Sequence, residues 1–91
     1  MWLMRMSVNV KRILLDVLKP RELSIVELAR ALGAVEGVEA VNIIVSEVDS
    51  KTETIKVTVN GPKINYDLVS NILEKYGVSI RGVDEISVAK P

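Results

Sequence analysis

Residues 41–61 read VNIIVSEVDSKTETIKVTVNG, and the fold turns on how this stretch is parsed. In 52–61, Ile55, Val57 and Val59 point one way and Thr54, Lys56 and Thr58 the other. That is the period of a strand with one buried face. Val41, Ile43 and Val45 alternate in the same way within 41–48. Between the two lies DSKT, a polar turn, so the stretch predicts a β-hairpin. What flanks the hairpin decides the rest.

On its N-terminal side, 8–18 is predicted as a strand anchored by Val8, Val10, Ile13, Leu15 and Val17. Pro20 ends it, because proline cannot donate to a ladder. Ser24 and Glu27 fit a capping box, with Leu23 and Leu28 in staple positions. Ile25, Leu28, Ala29 and Leu32 then follow helical spacing, and Gly33 or Gly37 stops the helix. On the C-terminal side, Asn60-Gly61-Pro62 breaks the strand. Asn65 is the next N-cap, Ile64 and Val69 form a staple, and Val69, Ile72, Leu73 and Tyr76 make the apolar stripe. Gly77 is the stop, and a last strand over 78–88 carries Val78, Ile80, Ile86 and Val88. The order is βαββαβ, the ferredoxin-like α+β pattern. Right-handed crossovers place both helices on one face of a four-stranded antiparallel sheet ordered 4-1-3-2.

The 91 residues suit one small domain, read here as 8–91, with 1–7 as a loose extension whose Trp2 has docking on a neighbouring subunit as an alternative. Trp2, Tyr66 and Tyr76 are the only aromatic residues, so a 48% apolar chain must build an aliphatic core. Twelve basic and twelve acidic residues cancel, which removes the electrostatic footprint for nucleic acid. Histidine and cysteine are absent, which excludes imidazole acid–base catalysis, thiolate nucleophiles, disulfides and zinc-type sites. A metal bound by this chain would be a hard cation on oxygen ligands, Ca²⁺ or Mg²⁺. Glutamine is missing too, a hint of a thermophilic source. No stretch approaches the ~20 apolar residues of a membrane span, and a cytoplasmic protein is expected.

Strand period also sorts the side chains of RILLDVLKP, 12–20. If Ile13, Leu15 and Val17 face the helices, Arg12, Leu14, Asp16 and Leu18 face the open side of the sheet. A cross-strand pair of Asp16 with Lys56, or with Arg81, is the simplest expectation. Leu14, Leu18, Ile44 and Val48 are expected on the same open face, a cluster that suggests self-association. Asp84 and Glu85 are poor strand formers. Strict alternation from Ile80 would aim Asp84 at the helices unless a bulge near Gly82 re-aims it. Asp16, Asp84 and Glu85 on neighbouring strands are therefore a candidate hard-cation site, alone or together with a second subunit. The hairpin carboxylates Glu47, Asp49 and Glu53 do not follow the EF-hand spacing and read as a solvated turn.

Other chemistries of this architecture leave marks that are missing here. The central strands lack base-stacking aromatics, there is no cysteine pair, and KPRELS has Arg21 without the glycine-rich loop of acyl-phosphate hydrolases. Amino-acid-sensing domains usually have a glycine in that loop as well. The segments RILLDVLKP, SIVELARAL, GVEAVNIIVSEVD, TETIKVTVNG and GVSIRGVDEISV together resemble an archaeal family catalogued as domain of unknown function two hundred and eleven, from about Lys11 to Val88. That resemblance implies a ferredoxin-like fold, a cytoplasmic archaeal source and homo-oligomers. In KINYD, Asn65 stands where the family pattern leads one to expect aspartate. The expectation is a non-enzymatic, self-assembling domain with a regulatory or small-ligand-binding role. The alternative is a Ca²⁺- or Mg²⁺-binding protein using Asp16, Asp84 and Glu85; a metal-dependent carboxylate enzyme stands third.

Overall fold

In the structure, a computed structural model that describes residues 8–91, the elements run β1 (Asn9–Pro20), α1 (Ile25–Gly33), β2 (Ala40–Val48), β3 (Thr52–Asn60), α2 (Tyr66–Lys75) and β4 (Ser79–Ala89). The strands form one antiparallel sheet ordered β2-β3-β1-β4, the expected ferredoxin-like arrangement. The extension over residues 1–7, Trp2 included, lies outside the described residues.

The N-caps read from the sequence at Ser24 and Asn65 are formed, although Ser24 and Glu27 make only the Ser24 half of the expected capping box. Ser24 Oγ accepts from the Val26 and Glu27 N–H groups at 3.1 and 3.4 Å, and Asn65 Oδ1 accepts from the Leu68 N–H at 3.2 Å. These bonds satisfy helix donors that have no intrahelical acceptor. Gly77, at φ +76, closes α2 in a Schellman motif. Its N–H donates to Glu74 and that of Val78 to Leu73, while Val78 and Leu73 both join the core. Neither glycine stops α1 in this way. Gly33 is its last helical residue, Ala34 is the C-cap, and Gly37 turns the chain further on at φ +92.

The helix-side face of the two central strands is the core. Ile13, Leu15, Val17, Ile55, Val57 and Val59 are fully buried against Leu28 and Leu32 of α1 and Val69 and Leu73 of α2. The crossovers explain this distribution. The β1–α1–β2 connection passes over β3 and the β3–α2–β4 connection passes over β1, so two short helices cover the centre and leave the outer strands less protected. β1 runs to Pro20, two residues past the expected end, because proline at the last ladder position needs no N–H.

Candidate functional site

The open face is built in rows across the sheet. Ile44, Lys56, Asp16 and Gly82 stand opposite one another in one row, with Asn42, Thr58, Leu14 and Glu85 in a neighbouring row. Asp16 and Lys56 are ladder partners, as their spacing implied, and their Oδ1–Nζ distance is 3.5 Å. The lysine makes its closer contact elsewhere. It reaches over β1 to donate to Asp84 Oδ2 of β4 at 2.7 Å. One ammonium thus ties three adjacent strands. The hydrogen bond to Asp84, aided by the charge of Asp16, holds the Lys56 ammonium above its ordinary pKa. Asp16 Oδ1 is buried and accepts no hydrogen bond, although it lies within ion-pair range of Lys56.

Asp84 reaches this face because β4 is bulged twice. Its register against β1 shifts between the rows of Asp16 and Val17 and again between those of Leu14 and Leu15, leaving Arg81 and Asp84 without ladder partners. The bulge anticipated near Gly82 is therefore present, with a second one beside it. Gly82 has no Cβ opposite Asp16 and leaves that space open. Of the candidate cation ligands, Asp16 and Asp84 are brought together around Lys56. Glu85 is directed to Arg12, whose Nε lies 3.3 Å from its Oε1. Among the described residues no three carboxylates converge on one point.

The expected apolar patch is corrected at one position. Leu14, Leu18 and Ile44 occupy the open face, but β2 carries an inserted residue between Val45 and Glu47 that reverses the parity beyond it. Glu47 pairs with Thr54 on the open face, and Val48, opposite Glu53, falls on the helix side. Leu14 and Leu18 are half-buried and flank the charged row, so the open face is mixed rather than apolar.

Two features escaped the sequence reading. The first is the helix-side row of β4, where Val83, Ile86 and Val88 pair with Leu15, Ile13 and Val10 yet remain 47%, 58% and 56% exposed. Their alternation was legible for Ile86 and Val88, but α2 does not cover the strand it leads into. The second is Lys19, which continues the buried alternation of Ile13, Leu15 and Val17 and is 1% exposed. Its ammonium donates to the carbonyls of Pro20, Arg21 and Leu23 and pairs with Glu53 at 2.7 Å. Parity alone pointed to it, because a lysine on the core face must find partners for its charge.

A groove of about 750 Å³ lies where the α1–β2 loop meets the start of α2; Glu36, Lys63, Tyr66 and Leu68 line it with both charges and apolar surface. No helix among the described residues is long and apolar enough to cross a membrane. Comparison with known proteins adds two likenesses. A family model described as uncharacterized ArCR, a domain of unknown function, matches residues 11–91. The chain is also similar to an uncharacterised protein of Methanocaldococcus jannaschii, 38% identical over 82 residues that span 90% of this chain and 84% of that one.

Proposed function

We propose that this chain, which belongs to the family known as domain of unknown function 211, acts as a non-enzymatic, self-assembling α/β domain in a regulatory or small-ligand-binding role. The observation that carries the assembly reading is the exposed apolar row Val83, Ile86 and Val88 on an edge strand. An uncovered row of branched aliphatics beside free backbone donors and acceptors is a pairing surface unless something blunts it. A small ligand has a place in the groove beside Lys63 and Tyr66, and the absence of histidine and cysteine favours binding over catalysis. At micromolar concentration, light scattering is expected to give a mass above the 10.0 kDa of one chain. Ile86→Lys is expected to lower that mass without altering the circular dichroism spectrum. A wild-type protein that runs as a monomer removes this reading.

A second reading has a narrower basis. The buried Asp16 Oδ1 lacks a hydrogen bond, and with Asp84 across Lys56 it offers oxygen ligands of the kind Ca²⁺ or Mg²⁺ takes, while Glu85 would have to leave Arg12 to join them. Lys56 competes for the same carboxylates. The wild type is therefore expected to bind either ion weakly, and Lys56→Met, which frees both aspartates, at least tenfold more tightly. Calorimetry showing no heat for either protein, with no rise in melting temperature in millimolar Ca²⁺ or Mg²⁺, removes the cation reading.

A further inference from the structure

Two of the bulges, one on each outer strand, serve the same corner of the open face. The residue inserted at Ser46 turns Glu47 to the open side, opposite Thr54. Ser46 Oγ holds that distortion by donating to the Thr54 carbonyl at 3.1 Å. On the far side of the sheet, Arg81 is the residue inserted between the rows of Asp16 and Val17. Thr54 pairs with Leu18 and Leu18 with Ser79, so this row crosses the whole sheet from Glu47 to the start of β4.

A groove of about 260 Å³ lies along this row, lined by Leu18, Glu47, Asp49, Thr52, Thr54 and Arg81. Its hairpin wall is already set. The Asp49 N–H donates to the Thr52 carbonyl at 2.8 Å, and Asp49 Oδ1 accepts from the Ser50 N–H at 2.9 Å. Glu47 and Arg81 stand on the two outer strands, three strand spacings or about 14 Å of backbone apart. Opposite charges thus line one groove without meeting. Among the described residues, Arg81, Glu47 and Asp49 make no ion pair. In the neighbouring charged row Lys56 closes the gap itself, reaching Asp84 at 2.7 Å. Here no side chain does.

We infer that this groove binds a small zwitterion of the amino-acid class, its carboxylate on Arg81, its ammonium between Glu47 and Asp49, and its short carbon chain on Leu18. A guanidinium takes a carboxylate through two parallel hydrogen bonds. Two carboxylates beside the Thr52 and Thr54 hydroxyls suit the three donors of an ammonium. The volume falls below that of sites for drug-sized ligands, so a ligand of few heavy atoms fits. A simple anion would meet Glu47 and Asp49, and a simple amine would meet Arg81. A molecule with both charges answers both walls. The site is separate from the groove beside Lys63 and Tyr66 and does not depend on self-assembly.

The test is an NMR titration of the full chain with glycine, β-alanine and γ-aminobutyrate, which carry the two charges on progressively longer chains. At least one is expected to bind at millimolar concentration, with shifts centred on the amides of Glu47, Thr54 and Arg81. Propionate and propylamine, with one charge each, are expected to bind at least tenfold more weakly. Arg81→Met and Glu47→Gln are each expected to weaken binding at least tenfold, and Lys63→Met to leave it unchanged. All three positions are exposed, so the variants keep the fold. No binding by any of the three zwitterions, propionate equal to the best of them, or binding untouched by Arg81→Met would overturn the inference. Shifts centred on Lys63 and Tyr66 would overturn it while leaving the small-ligand reading of that other groove in place.

Discussion

Lys19→Met is expected to lower the unfolding free energy by about 3 kcal/mol, because it removes the cation from a buried pair and leaves its partners behind. The Lys19 ammonium is 1% exposed and holds Glu53 at 2.7 Å and the Leu23 carbonyl at 2.6 Å. Without it the Glu53 carboxylate loses its counter-charge, and the carbonyls of Pro20 and Leu23 lose their donor. The loop that leads into α1 then has less to hold it to the sheet. In a domain of this size 3 kcal/mol corresponds to a fall in Tm of roughly 12–24 °C. Urea titration separates this account from a plain packing loss. The double variant Lys19→Met/Glu53→Met replaces both charges with apolar groups and is expected to recover most of the stability. If the single variant costs less than about 1 kcal/mol, or the double variant adds to the loss, the ammonium does not organise this end of the sheet.

Gly61→Ala is expected to destabilise by about 2–3 kcal/mol, the range of a side chain forced into filled space. A Cβ at Gly61 would run into the Gly37 carbonyl oxygen and come within 2.8 Å of Ile64 Cδ1. Two loops cross here backbone to backbone; the Glu39 N–H donates to the Asn60 carbonyl at 2.8 Å, and the Gly61 N–H ties its loop to the Lys11 carbonyl of β1 at 3.1 Å. Little can move aside, since the obstacle is main chain. Gly33→Ala supplies the contrast. That glycine is helical and a Cβ there meets nothing within 4 Å, so alanine is expected to stabilise by up to about 1 kcal/mol. Thermal melts of the two variants should move in opposite directions. A shared direction would mean that the crossing of the two loops is not close-packed.

Most of the fold could be read from the chain because its local signals agree. The alternation of Ile55, Val57 and Val59, the caps at Ser24 and Asn65 and the stop at Gly77 all reappear in the structure. The candidate site was legible in part. Strand period placed Asp16 opposite Lys56 and Leu14 and Leu18 on the open face. It misplaced Val48, because a single inserted residue at Ser46 reverses every side chain beyond it. It left Asp84 ambiguous for the same reason and passed over Lys19, since a charged residue at the end of an apolar run reads as the end of the run.

The sequence by itself determined the βαββαβ order, the helix starts, the α2 stop and the facing of each unbulged strand, because these follow from spacing within one segment. The tertiary structure decided which ion pairs form, which face Val48 and Asp84 occupy, and which apolar row stays open on β4. The physical reason is that a bulge belongs to a pair of strands, set by how two twisted ladders fit together. Coverage likewise belongs to the crossing of helices over the sheet. Neither is written in the period of any one strand.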